Sequence, residues 1–521
     1  MHKKYLLMIM GVLGSVVTGS LATADEKIVE EVKLTREQCF LIAVENNREI
    51  RVSAFDPRIA ETDITAAKGE FDLLFSARMN ERHETTPRRR VYGSQFPFQR
   101  EISVETKQFS TKLGAKLFTG GQIGVAFSGS RSESIATMDH PEYMMNSSIT
   151  LMQPLLKNSG IDINARSIEL ARISKSRNFL EHRKNVEAVV AAVEKAYWAL
   201  VLADEDLEVK KKSLEAAQKV HSQIVTRINA GHAAPIERFA GEAEVASREA
   251  EIISAENALK DAQDELLRLL NIDDGESLWL MRIVPTEKPT VLESMPDERE
   301  SILLAMENRY DLHQLEKDIE SAKIQGNYAR NQILPQLDIQ YTYGTNAIER
   351  SFNGGTRSII KNEDDLWEFG ITFSVPIGNR SAKSNYKKAL LTIEKGEEAV
   401  ELQKQIIEKE IRRRIRAVES SRKLVDALDK AVTFREKSAE AEEKKLLYGT
   451  STNLQVFEEQ RDLAIAESES LRAIISHRIA EIDFHVEQAT FLKSRNINFE
   501  DTYEEKGSKS FGEKARDVLH W

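Results

Sequence analysis

Few residues in this chain have the types and spacing that chemistry requires. The run Gly120-Gly-Gln-Ile-Gly124 superficially resembles a nucleotide-binding loop. It lies between two alternating segments and not ahead of a helix, which indicates a β-hairpin. Cys39 is the one cysteine, so the chain has no disulfide framework and no Cys-based metal site, and we expect it to be a buried helix residue. We predict no catalytic residue, no cofactor and no metal site, because phosphate-loop, zinc-ligand and nucleophile-elbow patterns are missing from the sequence.

The histidine with the most suggestive position is His221. It falls in the apolar stripe of a long helical segment, and no second histidine or carboxylate cluster accompanies it. We therefore interpret it as a packing residue rather than a ligand. The net charge of −11, with 30% charged residues, argues against nucleic acid as a partner.

The first 24 residues have the pattern of a secretion signal. A basic start, His2-Lys-Lys4, precedes a short apolar segment, and Ala22-Thr-Ala24 before Asp25 is typical of a cleavage site. We expect export in a bacterium, and no lipid anchor, because Asp25 stands where a lipidated cysteine would be. No later segment has some twenty consecutive apolar residues, so we expect no transmembrane helix.

One segment, Leu366 to Val375, alternates strictly between two kinds of side chain. Its odd positions are apolar or aromatic and its even positions are polar or small; they are Trp367, Phe369, Ile371, Phe373 and Val375 against Glu368, Gly370, Thr372 and Ser374. Because side chains alternate between faces of a strand, this pattern suits a strand with lipid on one side and water on the other. A half-buried strand of a soluble sandwich is the alternative.

Two very long helical segments carry apolar residues every seven positions. In the first the stripe is Val186, Val193, Leu200, Leu207, Leu214, His221 and Ile228, and in the second it is Ile411, Val418, Val425, Val432, Ala439 and Leu446. Such a repeat predicts helices that pack along their length as in a coiled coil. At 1.5 Å per residue the second helix would be roughly 100 Å long.

The sequence repeats its own plan. Ala43-Val-Glu-Asn46 recurs as Ala305-Met-Glu-Asn308, and Pro154 corresponds to Pro376. The offset falls from 262 to 222 between these pairs, so the first half carries about 40 more residues, around Gly120-Gly121. We predict a signal peptide (1–24), a first repeat (25–271, with strands in 71–156 and a helical hairpin in 160–271), a linker (272–299), a second repeat (300–490, with strands in 333–376 and a helical hairpin in 379–490) and a charged tail (491–521).

Four to six amphipathic strands cannot close a barrel alone. The smallest ordinary membrane barrel has about eight strands, and an open sheet edge is not tolerated in lipid. Several copies must therefore pool their strands. Whether the hairpin near Gly120 adds two strands per copy, giving eighteen in a trimer, or folds as a loop or lid on a twelve-stranded barrel is open at this stage.

The chain resembles the TolC family of outer-membrane channel-tunnels over roughly residues 34–490. The resemblance rests on the duplicated plan, on Gln153-Pro-Leu-Leu156 and Val375-Pro-Ile-Gly378 at the strand-to-helix junctions, and on the tips Ala230-Gly-His232 and Tyr448-Gly-Thr450. It implies an α+β membrane protein: a homotrimer with a β-barrel shared between protomers in outer-membrane lipid, and a long α-helical barrel in the periplasm. Such a channel is the passive exit duct of a tripartite efflux pump or type I secretion system, joined by a periplasmic adaptor to an inner-membrane pump.

The resemblance also implies roles for particular residues. Six tip residues would contact the adaptor: Ala230, Gly231, His232, Tyr448, Gly449 and Thr450. The periplasmic aperture, where some members carry two acidic residues, would here be formed by Gln455 and Glu458, with Glu237 at the corresponding place in the first half. Three copies of Glu458 would form a carboxylate ring that favours cations. Gln455 is neutral and Ser451 replaces the basic residue usual after Gly-Thr, so we expect a weaker ring and no closing ion pair of the family type.

A second hypothesis remains open on the sequence. The chain could be a secreted periplasmic coiled-coil scaffold, whose strands belong to a soluble domain and which has no channel activity. Outer-membrane fractionation of a trimer would favour the channel, and a soluble periplasmic monomer would favour the scaffold.

Overall fold

The computed structural model describes residues 31–86, 102–134, 141–271, 282–288 and 295–497. The predicted signal peptide, residues 498–521 of the tail and most of the predicted linker lie outside these residues. The first repeat contains β1 (Glu31–Leu34), α1 (Arg36–Asn46), α2 (Arg48–Ser53), α3 (Phe55–Lys68), β2 (Leu74–Thr86), β3 (Ile102–Lys116), β4 (Gln122–Ser134), β5 (Glu142–Pro154), α4 (Ile161–Asn164), α5 (Arg166–Asn229) and α6 (Glu237–Leu270).

The second half of the chain follows a similar plan with fewer strands and with one helix, α9, between them. It contains β6 (Arg282–Pro285) in the predicted linker, then α7 (Glu298–Asn308), α8 (Tyr310–Asn331), β7 (Gln336–Glu349), α9 (Phe352–Lys361), β8 (Asp365–Ser374), α10 (Arg380–Leu447) and α11 (Asn453–Glu487), and finally α12 (Phe491–Ser494) in the predicted tail. In both halves short helices lead into strands, and a long helix and a shorter returning helix follow.

The two longest helices are α5, with 64 residues, and α10, with 68 residues. The seven-residue stripe of α10 is buried at Ile411, Val418, Val425, Ala439 and Leu446, against α11 and neighbouring helices. In α5 the stripe is buried from Val186 to Leu207 and then shifts, so that Ala217, Val220 and Ile224 are the buried residues near the tip. This shift follows from the 3.6-residue turn of a helix, which drifts away from a strict seven-residue repeat.

None of the helices in the described part of the chain is both long enough and apolar enough to span a bilayer.

Six strands form one antiparallel sheet in the order β2-β3-β4-β5-β7-β8. One cross-strand row on its apolar face consists of Phe75, Leu113, Val125, Ile149, Tyr343 and Trp367, each directly opposite the next. A row on the polar face consists of Arg78, Ser110, Ser128, Asn146 and Asn346. The alternation predicted for Leu366 to Val375 therefore extends in register across the whole sheet.

The 40 additional residues of the first half supply two further strands of the sheet. The first repeat supplies four consecutive strands, β2 to β5, and the second supplies two, β7 and β8. The hairpin around Gly120-Gly121 is β3–β4, and both of its strands are paired on both sides. It is therefore part of the sheet and not a separate lid.

The main core surrounds the middle of α5, where Tyr197 and Trp198 are buried. Short elements from the chain ends pack here: β1 pairs in parallel with β6, which lies in the predicted linker, and α12 packs on α5. Glu194 is 1% exposed and accepts hydrogen bonds from Arg36, at 3.2 Å, and from Arg495, at 2.8 and 2.9 Å. One buried carboxylate thus fastens both ends of the described chain to α5.

Candidate functional site

The tip of the first helical hairpin is built by a glycine that ends α5. Gly231 has φ of 77°, a left-handed conformation that glycine adopts without strain. Its N–H donates to the carbonyl of Ile228 at 3.0 Å, and the N–H of His232 donates to the carbonyl of Arg227 at 2.8 Å. These bonds are the pattern of a glycine-terminated helix and satisfy carbonyls that the helix end would leave unpaired.

The tip of the second hairpin repeats this arrangement. Gly449 has φ of 75°, its N–H donates to Leu446 at 3.1 Å, and the N–H of Thr450 donates to Lys445 at 2.9 Å. A Cβ added at either tip glycine would meet no atom within 4 Å, so the space outside both glycines is open. The two tips are therefore equivalent in backbone structure, as the internal repeat predicts.

All six residues predicted for the tips are solvent-exposed in the chain. The side chain of Tyr448 is 84% exposed, which is unusual for an aromatic residue. Beneath the tips a small apolar cluster joins the two hairpins; its buried members are Ala217, Val220, Ile224, Leu446, Val456 and Phe457. The tips are thus held as one unit that presents exposed residues at its end.

The residues predicted for the aperture have three different environments. Gln455 is the third residue of α11 and forms a capping box with Thr452, because each side chain bonds the other residue's backbone N–H at 3.3 Å. Glu237, at the start of α6, accepts a hydrogen bond from Asn453 at 2.5 Å. The carboxylate of Glu458 is exposed and makes no hydrogen bond or ion pair with any other residue that the structure describes.

Ser451 also has a partner of its own. Its hydroxyl donates to Glu442, at 2.5 Å, and Lys445 lies 2.8 Å from the same carboxylate. The Lys445 ammonium and the Ser451 hydroxyl hold the pKa of Glu442 below its usual value. A carboxylate from α10 therefore occupies the position next to Ser451 inside one chain.

The two strand-to-helix junctions differ in how they are packed. Pro154 is buried and ends β5 beside Gly120, whose φ is 92° and whose Cβ, if present, would lie 2.2 Å from the carbonyl oxygen of Asn158. Pro376 is exposed after β8, and Asn379 donates from its side chain to the carbonyl of Ile333 at 2.9 Å. The first junction is therefore the more tightly packed of the two.

Within the described ranges, no group of three or more histidine, cysteine and acidic side chains is arranged to hold a metal ion. His221 packs its ring against Gly241 of α6, where a Cβ would lie 2.5 Å from Nδ1. This contact agrees with its interpretation as a packing residue.

The profile of the family described as "Outer membrane efflux protein" matches residues 121–271 and 302–483, which together are more than half of the chain. The chain belongs to the outer membrane efflux protein family. It is an outer-membrane efflux protein that extends into the periplasm. Its resemblance to TolC-type channels is confirmed. Members of this family are channels rather than enzymes. Among curated proteins no sequence match was found.

Solved structures of outer-membrane channels share the fold. The open-state MtrE channel of Neisseria gonorrhoeae is 17% identical, with a TM-score of 0.61 over 89% of this chain and 90% of that one. CmeC of Campylobacter jejuni is 14% identical, with a TM-score of 0.60 over 89% and 90%. VceC of Vibrio cholerae is 12% identical, with a TM-score of 0.61 over 87% and 96%.

Sequence reasoning about this efflux protein missed two residues at the tips. Asn453 binds Glu237 and links the hairpins, and Glu442 binds Ser451. The Thr452-x-x-Gln455 spacing is a capping-box signature, and it could have shown that Gln455 is engaged locally. Nothing in the linear sequence indicates the contact between Glu237 and Asn453, which lie 216 positions apart.

Proposed function

We propose that three copies of this chain form a passive exit duct, with a shared β-barrel in the outer membrane and an α-helical tunnel in the periplasm. The observation that carries the proposal is the six-stranded sheet with one apolar face and two unpaired edges, β2 and β8. Unpaired backbone groups are too costly in lipid for such a sheet to stand alone. Pairing each copy's edges with its neighbours' removes every edge.

The long helices support the same assembly. Large apolar side chains on their surfaces are exposed in the single chain; they include Phe239 and Ile253 on α6, and Leu402, Leu424 and Phe434 on α10. Apolar residues spaced along a helix favour burial against another helix. Neighbouring copies packed side by side would cover them and form the wall of the tunnel.

The exposed tips are the proposed contact with a periplasmic adaptor, which would connect the duct to an inner-membrane pump. Left-handed glycines leave backbone groups open to a partner, and His232 and Tyr448 flank them with side chains that have both apolar and polar parts. Selection of cargo then rests mainly with the pump, in a drug-efflux or a type I secretion system.

Just inside the tips, Glu458 is proposed to line the periplasmic aperture. Three symmetric copies would place three exposed carboxylates around one axis, which attracts cations and binds multivalent ones. Gln455 contributes no charge there, and Glu237 is already bonded to Asn453. The aperture is therefore proposed to depend on one acidic ring.

Fractionation and conductance test the duct. We expect the protein in the outer-membrane fraction as a detergent-resistant, heat-dissociable trimer, and the purified trimer should conduct ions across a planar bilayer. A soluble, monomeric periplasmic protein without conductance would contradict the duct and favour the coiled-coil scaffold.

Photo-crosslinking in the native host tests the tips. A photoreactive amino acid at His232 or at Tyr448 should capture the same adaptor, while one at the exposed Glu398, near the other end of α10, should not. Equal capture from Glu398 would contradict a specific contact at the tips.

A further inference from the structure

We infer that the wall of the duct contains eighteen strands, because each of three copies contributes all six strands of its sheet and β2 of one copy pairs with β8 of the next. This inference rests on the proposed trimeric duct and adds to it the identity of the subunit interface and a wider exit. The second repeat contributes two strands, so two equal repeats per copy would have given twelve.

The hairpin β3–β4 is integrated into the sheet over its full length. All 13 residues of β2 pair with β3, and β3 pairs with β4 from Val104 to Lys116. Strand β4 then pairs with β5 from Gln122 to Ser132. A lid or surface loop would not provide two uninterrupted ladders of this kind.

Both faces of the sheet continue through this hairpin. Leu113 and Val125 carry the apolar row from β2 to β5, and Ser110 and Ser128 carry the polar row. A strand in a membrane wall needs one lipid-facing and one water-facing side. Strands β3 and β4 have both, in register with the rest, and therefore qualify as wall strands.

The inner turn of the hairpin is fixed to the strand-to-helix junction. The N–H of Gly160 donates to the carbonyl of Thr119 at 3.1 Å, and the side chain of Gln153 donates to the same carbonyl at 3.3 Å. Lys116 pairs with Glu70, which precedes β2, at 2.5 Å. These bonds hold β3–β4 at the same height as the strands that connect directly to the helices.

The two edges suit each other as partners. Strand β2 follows α3 and runs away from the helices, whereas β8 runs back towards α10, so neighbouring edges would be antiparallel, as everywhere else in the sheet. The edges also carry the most exposed apolar side chains, with Met79 at 80% and Trp367 at 66%, against 38% for Leu113 inside the sheet. One continuous apolar belt results when β2 meets β8.

A wall of eighteen strands has a wider bore than one of twelve. Barrel diameter grows roughly linearly with strand number, so the increase is about 1.5-fold. The polar side chains that line it are mostly small and uncharged, such as Ser110, Ser128 and Ser148. The exit is thus suited to large hydrated cargo.

Disulfide trapping tests the interface directly. Ser76→Cys on β2 is combined in turn with Glu368→Cys, Gly370→Cys and Thr372→Cys on β8, all on the polar face. We expect at least one combination to give covalent dimers and trimers on oxidation. Cys39 is fully buried, and burial raises the pKa of its thiol to about 12, so the native cysteine stays unreactive.

The matched control is Ser128→Cys on β4, which is paired on both sides within its own sheet. With the same β8 partners it should give no intermolecular disulfide. Cross-links from β4 but not from β2 would overturn the eighteen-stranded wall while leaving a trimeric duct intact. Failure to trimerise or conduct at all would instead contradict the proposed function.

Deletion of residues 102–140 provides a second measurement. It removes β3 and β4 and leaves β2 to pair with β5, as β7 pairs with β8. If the shortened chain still forms trimers, the largest polymer that enters the barrel side of the channel should have a radius about 1.5-fold smaller than for the full chain. An unchanged size limit would contradict the wider bore. If the shortened chain does not assemble, Ser76→Cys combined with Lys112→Cys, which lie opposite each other on β2 and β3, should form an intramolecular disulfide in the full-length trimer, and its absence would contradict a wall position for β3.

Discussion

Glu237 and Asn453 connect the two helical hairpins, with the side-chain amide of Asn453 donating to the carboxylate of Glu237 at 2.5 Å. Each residue is the first of its helix, α6 or α11, so the bond lies directly behind the tips. The carboxylate also lies in the first turn of α6, where the helix dipole favours negative charge. Glu237 thus has a structural partner, and Glu458 is the aperture candidate whose carboxylate remains exposed.

Glu458→Gln is expected to weaken cation binding at the aperture. The substitution removes one carboxylate per copy from a site where Gln455 adds no charge, so little negative charge would be left there. In planar bilayers we expect lower cation preference and at least about fivefold weaker block by divalent cations.

Glu398→Gln serves as the control for this measurement, because it removes the same charge from an exposed position on α10 far from the tips. It should leave the block unchanged. An effect of equal size in both variants would mean that overall charge, and not a ring at Glu458, governs the block.

Breaking the bond between Glu237 and Asn453 is expected to loosen the tips. A charge-assisted hydrogen bond contributes on the order of 1 kcal/mol or more, so Glu237→Ala and Asn453→Ala should each speed hydrogen exchange of the tip amides by roughly fivefold. In the double variant the tip amides should exchange little faster than in either single variant, because the two residues share one bond. Glu237→Gln keeps a hydrogen-bond acceptor and should speed exchange less. Additive effects of Glu237→Ala and Asn453→Ala would argue against coupling between the two residues.

The sequence predicted the repeat, the strand alternation and the glycine-ended tips, because each depends on local residue patterns. The stripe of α10 from Ile411 to Leu446 and the left-handed Gly231 and Gly449 are such local features. The family assignment followed from their order, and the family profile confirms it.

Contacts between distant segments could not be predicted in the same way. The pairing of β1 with β6, the bond between Glu237 and Asn453, and the clamp of Arg36 and Arg495 on Glu194 join positions that no period relates. The number of strands was also undetermined, since a 40-residue excess fits a loop as well as a hairpin until the strand pairing is known. The roles of the tip and aperture residues stay predictions.

Gly231→Ala and Gly449→Ala are expected to unwind the tips. Their added Cβ meets no atom within 4 Å, so the cost comes from the left-handed backbone alone and is about 1–2 kcal/mol. Trypsin should then cut more readily at Arg227 or Lys445, whose carbonyls accept the tip bonds, by roughly tenfold. Asparagine tolerates this conformation, so Gly231→Asn and Gly449→Asn should be cut nearly as slowly as the wild type. Equal cutting of the alanine and asparagine variants would contradict this explanation.

Glu187 is expected to make stability depend on pH near neutrality. It is 2% exposed and accepts a hydrogen bond from the N–H of Phe491 at 2.8 Å, and burial raises its pKa from 4.5 to about 7. Between these two values the folded chain binds more protons than the unfolded chain, so the free energy of unfolding falls as pH rises from about 4.5 to about 7. Below about pH 4.5 the stabilising contribution of Glu187 is fully present, and above about pH 7 it is lost.

Glu187→Gln should remove this dependence, because the amide keeps an acceptor for Phe491 and does not ionise. Relative to wild type the variant should gain stability as pH rises through the window, by at most about 3 kcal/mol. Thermal unfolding of the detergent-solubilised protein at pH 5 and pH 8, followed by circular dichroism, measures the difference. The exposed control Glu398→Gln should follow the wild-type profile, and a Glu187→Gln profile that also follows it would show that this carboxyl does not titrate in the fold as proposed.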